Sequence, residues 1–422
     1  MDKKVELLAP AGNFEKLKIA LEYGADAVYG GVSHFSLRIR SSKEFSYESF
    51  KEAVSYTHKK GKKIYATING FPFNSQIPLL EKHIKKMADL GVDAFIVSTP
   101  GVVRLSKEIA PKVPLHLSTQ ANVMNYLDAL FYREVGVKRI IVAREVGLKD
   151  LKEIKKRVPD MEFEIFVHGS MCFAYSGRCL ISSLQSGRVP NRGSCANDCR
   201  FPYTLYAKNE ESGALLKIEE DENGTHIMNA KDLNLSSYVD EILKSGVVDS
   251  LKIEGRTKSP YYVAITTRAY RMAIDDFYKG EFEAKKYEKE LLTTKHRGFS
   301  DGYLVKRPFE KDGTQNLEES ISEGTHQVYA IVDEDGEYFF ARDKVEPGVR
   351  YEIVAPLNAK IDSCKNDIGE VFKKEGLWQI VFNKIETKSG KTLEAIHSGN
   401  TNPVKLPCKL PAFSFFRREV NV

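Results

Sequence analysis

A helix-like stretch that ends in glycine and runs straight into a short apolar segment recurs along the chain. Four copies read Tyr23-Gly24-Ala25-Asp26-Ala27-Val28-Tyr29, Leu90-Gly91-Val92-Asp93-Ala94-Phe95-Ile96-Val97, Val135-Gly136-Val137-Lys138-Arg139-Ile140-Ile141-Val142 and Ser245-Gly246-Val247-Val248-Asp249-Ser250-Leu251-Lys252-Ile253. In each, glycine supplies the left-handed cap that ends a helix, and the unbroken apolar run suits a strand buried on both faces. Further strands are predicted at Glu6 to Pro10, Lys63 to Asn69, Leu115 to Asn122 and Glu164 to Gly169, which makes eight. Between them, Phe14 to Tyr23, Tyr47 to Lys60, Ile77 to Leu90 and Leu148 to Arg157 carry apolar residues three and four apart, the spacing of helices packed on a sheet.

Strict strand and helix alternation means an α/β fold with a parallel sheet. Eight units, and no GxGxxG after the first strand, favour a closed (β/α)8 TIM-like barrel over an open doubly wound sheet. About 80 residues separate the seventh strand from the eighth, where a loop and helix need about 25 to 30. A Cys-rich insertion after strand seven, at about residues 170–229, accounts for the excess, and Asp232 to Ser245 reads as the helix that follows it. The eighth helix is predicted at Tyr261 to Lys279. The barrel domain is therefore predicted over residues 1–310. Past a polar stretch, short β-like runs (Val328 to Val332, Tyr338 to Arg342, Tyr351 to Val354, Trp378 to Phe382) alternate with turns, which predicts a small C-terminal all-β barrel domain over residues 325–410. The tail Phe413 to Arg418 is expected to dock on the body through its aromatic side chains.

Composition narrows the class. Over 422 residues the charge balance is 63 basic against 58 acidic, net +5. The longest apolar runs fall far below the roughly 20 residues a membrane-spanning helix needs, and the N-terminus lacks the apolar core of a signal peptide. A cytoplasmic protein without membrane partners is the expectation. Six cysteines are too few for a disulfide scaffold in such a chain, and a reducing cytosol would keep them as thiols.

Four of the six fall within 28 residues, at Cys172, Cys179, Cys195 and Cys199, among Gly, Ser, Asn and Arg rather than in an apolar stretch. Four thiolates on a polar loop are the ligand set of structural zinc or of an iron-sulfur cluster, and spacing alone leaves both open. The pattern is not the CxxxCxxC of radical enzymes, because Pro202 stands where the third cysteine would be. The insertion leaves the C-terminal end of a barrel strand, the face where barrel enzymes keep their active sites.

Polar side chains at strand ends are expected to point into the same mouth: Glu6, Asn69, Gln120, Asn122, Arg144, Glu145, His168, Lys252, Glu254 and Arg256. Among these, Glu145, Glu254 and His168 are candidate proton carriers, and Arg144, Lys252 and Arg256 suit carboxylate or phosphate. Core salt bridges and caps are the plainer reading of the same residues. From His168 to Lys208 there are five bases and one acid, so +4 of the net charge is local. Arg178, Arg188, Arg192 and Arg200 interleave with Phe173, Tyr175, Phe201, Tyr203 and Tyr206, a composition able to grip unpaired RNA bases; arginines that merely neutralise thiolates would look alike. No HExxH, GxSxG or GxxxxGK is present. A Cys-His protease could be drawn from Cys172 and His168, but sequence proximity says nothing of their geometry.

The segment Glu164-Ile165-Phe166-Val167-His168-Gly169-Ser170-Met171-Cys172, with Ser176-Gly177-Arg178-Cys179-Leu180-Ile181-Ser182, closely resembles the signature of the bacterial collagenase-like peptidase family, an unclassified "U" family of peptidases. Glu6 to Gly12, Gly24 to Gly31, Asn191 to Cys195 with Cys199-Arg200, Lys252 to Arg256 and His296-Arg297-Gly298-Phe299-Ser300 extend the resemblance over nearly the whole chain. Despite its name, that family contains iron-sulfur proteins that hydroxylate RNA or quinone precursors. The resemblance implies that Cys172, Cys179, Cys195 and Cys199 hold a 4Fe-4S cluster, and that prephenate is a required metabolite. It implies prephenate-dependent 5-hydroxylation of the wobble uridine in the anticodon loop of tRNA, with an unidentified electron donor. It leaves a collagenase-like peptidase and a zinc-stabilised RNA-binding protein without catalysis as alternatives. Oligomeric state is not implied, and Cys364 and Cys408 lie outside the pattern.

Overall fold

Eight parallel strands, Glu6–Pro10, Ala27–Gly30, Lys63–Ile68, Ala94–Val97, Leu115–Leu117, Arg139–Ile141, Glu162–Gly169 and Ser250–Ile253, alternate with helices in the computed structural model. It describes residues 4–32, 35–36, 45–172, 174, 179, 181–186, 188, 195–200, 205–208, 210–213, 215–218, 230–305 and 324–420. Each strand pairs with its successor, and the eighth pairs with both the seventh and the first, so the ring closes as a (β/α)8 barrel. The glycines of the four repeats have φ between 67° and 106°, the left-handed conformation the pattern required. Helix starts are set by side-chain caps: Asn13, Ser46, Thr99, Asn125 and Ser259 each accept a backbone N–H of the first turn. The strand-to-helix layer is apolar and buried. Tyr29, Tyr65, Ile96 and Ile141 form a separate cluster in the ring.

One row of charge crosses this interior. Glu164, fully buried on the seventh strand, lies 2.8 Å from Lys252 Nζ and 3.3 Å from Arg139 Nη1, and the same guanidinium reaches Glu6 at 2.5 Å. Tyr65 donates its hydroxyl hydrogen to Glu6 at 2.7 Å. Glu6 and Arg139 open their strands, so this end of the row is the N-terminal base of the barrel.

Two expectations change here. Asp232–Asn234 is a strand, antiparallel to the end of the seventh barrel strand (Leu233 opposite Gly169, Asn234 opposite His168), and the helix begins only at Val239. A further strand, Phe299–Ser300, pairs with it. The fifth barrel strand stops at Leu117, and a 3-10 turn over Thr119–Ala121 carries the chain on.

The C-terminal unit is an eight-stranded antiparallel sheet that curls about its own core of Val332, Phe339, Tyr351, Phe382 and Phe416. The tail is not an appendage to it. Phe415–Glu419 is a central strand between His326–Val332 and Arg350–Val354, so the sheet runs past the expected boundary at residue 410. Its aromatics do also meet the barrel: Phe415 packs on Tyr23 and Tyr261, whose ring centroids lie 6.2 and 5.4 Å away. Buried Arg417 ties Glu352 of the sheet to Tyr261 and Glu290 of the barrel side.

The sheet's two outermost strands are Cys364–Lys365 and Val404–Lys405. Cys364 is disulfide-bonded to Cys408, just past the second of them, and Asn366 donates to Pro407 O at 2.7 Å. The expectation of six thiols fails at this pair, because the curl of the sheet brings together cysteines 44 residues apart. Opening a loop of that size costs about 4 kcal/mol in the chain-entropy picture. Calorimetry of Cys364→Ser should therefore show the C-terminal unit melting earlier while the barrel transition stays in place.

Candidate functional site

At the C-terminal end of the barrel strands lies a cavity of about 170 Å³. Its lining joins the strand ends to the insertion. Asn69, Gln120, Arg144, Lys252, Glu254 and Arg256 come from the barrel, and Cys172, Cys179, Cys195 and Cys199 from the inserted segment. Cysteines up to 27 positions apart in the chain thus share one wall with the mouth residues. Cys179 is buried, Cys195 and Cys199 are half-buried and Cys172 is exposed. Burial pushes the Cys179 thiol up, backbone N–H groups pull it down, and the neighbouring Cys172 and Cys195 push it further up. Mutual repulsion of this kind is what a bound cation relieves, since metal ligation takes the thiolate form. Among the described residues, no three His, Cys, Asp or Glu side chains are gathered tightly enough for a single ion.

The cations of the mouth are held in place individually. Lys252 Nζ sits 4.4 Å from the centre of the Tyr29 ring and 5.5 Å from that of Phe166, with Glu164 beneath it. Burial pulls the Lys252 pKa down, and the Glu164 carboxylate opposes that pull. Arg144 lies 4.1 Å above the Phe166 ring. Arg256 donates to Ser36 Oγ at 2.5 Å and to Thr67 Oγ1 at 3.1 Å, which locks its fork at the rim. Gln120 is buried, and its amide oxygen accepts from Ser98 at 3.1 Å. Three fixed cations and a thiol wall make a cavity suited to an anionic ligand near a redox or metal group.

Four expected mouth residues stand elsewhere. Glu6 is at the opposite end of the barrel, in the base network with Arg139 and Tyr65, because it begins its strand rather than ending it. His168 is 1% exposed and packed among Tyr262, Tyr270 and Phe299, with ring centroids 5.6 to 5.8 Å away, off the cavity lining. Burial, with Lys258 and His296 nearby, depresses its pKa to about 3, so the imidazole stays neutral near pH 7. Asn122, left-handed at φ 56°, buries amide atoms that lack a partner among the described residues, and it too lies off the lining. Glu145 does not line the cavity although its neighbour Arg144 does.

Of the arginines expected to meet RNA, Arg188 is exposed and described; Arg178 and Arg192, with Phe173, Tyr175, Phe201 and Tyr203, lie outside the described residues, as does the Arg200 side chain. Tyr206 is 56% exposed on the hairpin of Leu205–Lys208 and Leu215–Ile218. The sequence reading missed Glu164, Arg139, Tyr29 and Phe166. Glu164 and Arg139 were legible only as charges inside otherwise apolar strands. No helix among the described residues is long and apolar enough to cross a membrane.

The model of peptidase family U32 matches residues 12–314. The chain is 59% identical to the tRNA hydroxylation protein P of Helicobacter pylori over 420 residues, covering 99% of this chain and 100% of that one. It is 36% identical to the Escherichia coli protein of the same name over 422 residues, 87% and 90% of the two chains. It is also 35% identical to an E. coli 23S rRNA 5-hydroxycytidine synthase over 272 residues, 64% of this chain and 39% of that one.

Proposed function

Because this chain belongs to peptidase family U32, and because its full-length relatives are tRNA hydroxylation proteins, we propose that it hydroxylates tRNA, converting the wobble uridine of the anticodon loop to 5-hydroxyuridine in the cytoplasm. The observation that carries the reading is identity of 59% along 99% of the chain with tRNA hydroxylation protein P, joined to a cavity in which thiols and fixed cations meet.

Cys172, Cys179, Cys195 and Cys199 would hold a 4Fe-4S cluster, whose chemistry is one-electron transfer. The donor set supports this assignment: four sulfurs on one wall with no histidine among the described residues of the cavity lining. Stacking covers the faces of the uridine ring, the C5=C6 bond included, so the base has to swing out to present that bond to the cavity. Arg144, Lys252 and Arg256 would bind anions there, the RNA phosphate or the carboxylates of prephenate as the required metabolite. Asn69 and Gln120 offer amides to the base edge, and Glu254 is the carboxylate on the lining able to hold or move a proton. Replacing C5–H by C5–OH adds one oxygen atom and takes two electrons from the base. With O2 as the oxygen source the second oxygen atom leaves as water at the expense of two electrons from an unidentified donor, and with water as the source the two electrons leave to an acceptor. The oxygen source and the redox partner therefore both lie outside this chain.

The peptidase name of the family finds no support in the geometry. Among the described residues the histidine next in sequence to the cysteines, His168, is buried away from the cavity, so it forms no Cys-His pair there with the lining thiols. Mass spectrometry of tRNA from a deletion strain without a redundant enzyme should show 5-hydroxyuridine and its derivatives missing. Wild-type protein restores them, and Arg144→Ala does not. Unchanged tRNA, or cleavage of native collagen that survives metal removal, would overturn the proposal.

A further inference from the structure

The segment His296-Arg297-Gly298-Phe299-Ser300 lies more than a hundred residues after the cysteine insertion opens, and the reaction assigns it no role. Its position supplies one. The insertion leaves the barrel at Gly169 and returns at Ala230 to Asn234, the two ends running antiparallel side by side. Arg297 lies across both. Its Nη2 donates to Ser170 Oγ on the outgoing side at 3.1 Å, and its Nε donates to Ala230 O on the returning side at 3.1 Å. The same Nη2 is paired with the Asp232 carboxylate. The Arg297 backbone N–H reaches that carboxylate at 3.4 Å, and Gly298 O accepts from Asp232 N at 3.0 Å.

The clamp is preorganised. Gly298 takes φ 72° and donates to His296 Nδ1 at 3.0 Å, and the His296 ring stacks on Phe299 with centroids 4.3 Å apart. Arg297 and Asp232 side chains are 12% and 4% exposed, so water competes little for their bonds. A planar guanidinium can serve two backbone segments at once, which a lysine ammonium on a flexible stem does poorly. Ser170, on the outgoing side, lines the cavity two residues before Cys172.

We infer that Arg297 is a positioning residue that pins the neck of the cysteine insertion, so that Cys172 and the returning chain keep a fixed place over the barrel mouth. The inference deepens the cluster reading above, and the part that concerns iron retention rests on it. The test uses full-length Arg297→Ala and Arg297→Lys. In metal-free protein, amide exchange at residues 169–171 and 230–233 should speed up about tenfold in Arg297→Ala and less in Arg297→Lys, while exchange elsewhere in the barrel stays put. In protein purified anaerobically, loss of iron to a chelator should quicken by about tenfold or more in Arg297→Ala, the scale on which supporting residues act on metal sites. Neck exchange equal to wild type overturns the inference. If wild-type protein holds no iron, the cluster reading falls and the exchange measurement alone decides the clamp. Should Arg297→Ala fail to fold, Ser170→Ala removes only the outgoing bond, and unchanged neck exchange in that variant overturns the inference equally.

Discussion

Replacing Cys179 by serine is expected to give a folded barrel that carries no acid-labile sulfide and makes no 5-hydroxyuridine. Cys179 is the most buried of the four thiols on the cavity wall, so no outside ligand easily takes its place. A serine hydroxyl is far less acidic than a thiol and does not supply the anionic, polarisable donor that iron-sulfur clusters use. The barrel core lies elsewhere, in the strand-to-helix layer, so thermal unfolding of the barrel should move little. The check is iron and sulfide per chain after anaerobic purification, set beside tRNA analysis in the complemented deletion strain. Cys364→Ser is the contrast: it should keep the cluster, because that sulfur belongs to the C-terminal sheet. Full sulfide in Cys179→Ser, or zinc without sulfide in the wild type, would remove the cluster from the account.

The largest loss of stability within the barrel is expected from Glu164→Gln. Glu164 is fully buried between Lys252 and Arg139, and the substitution leaves both cations facing a neutral amide in the interior. Breaking a buried ion pair by removing one partner costs about 3–5 kcal/mol, mostly the penalty of the charge left behind. Arg139 keeps Glu6 and Glu162, so Lys252 bears most of it. Urea unfolding should show the shift. Removing the second charge as well, in Glu164→Leu with Lys252→Met, should recover stability relative to Glu164→Leu alone, while anion binding at the mouth weakens with the loss of the Lys252 ammonium. A double variant no more stable than Glu164→Leu would mean that the row contributes packing rather than charge balance.

The barrel was legible because its signal is local. In four of the eight units a glycine cap and an apolar run sit within nine residues of each other, and the strands between them follow from the same strand and helix alternation. What failed was what depends on distant partners. Asp232-Leu233-Asn234 reads as the start of a helix, yet the chain end at Gly169 and the strand Phe299–Ser300 offer it ladder partners, and pairing overrode propensity. His168 looked chemical because it stands four residues before Cys172, but Tyr262, Tyr270 and Phe299 enclose it from later in the chain. Glu6 was misplaced by a simpler error of direction, since a polar residue that opens a parallel strand faces the base. The four cysteines, Arg144, Lys252 and Arg256 do line one cavity, and their shared position was legible because thiols on a polar loop and charges at the close of apolar strands stand out against the barrel's apolar pattern.

The central place of Phe415–Glu419 in the C-terminal sheet bears on how the polypeptide assembles as it is made. Until the ribosome has added the residues between Val354 and Phe415, roughly 3–12 s at about 5–20 residues per second, the strands His326–Val332 and Arg350–Val354 lack the strand that joins them in the finished sheet. Their edges are open to pairing with other nascent chains for that interval. Cys364 and Cys408 both emerge before the missing strand does. A cross-link formed too soon would shut the two rims on a sheet without its middle, so orderly assembly places oxidation of this pair after Phe415–Glu419 has slotted in.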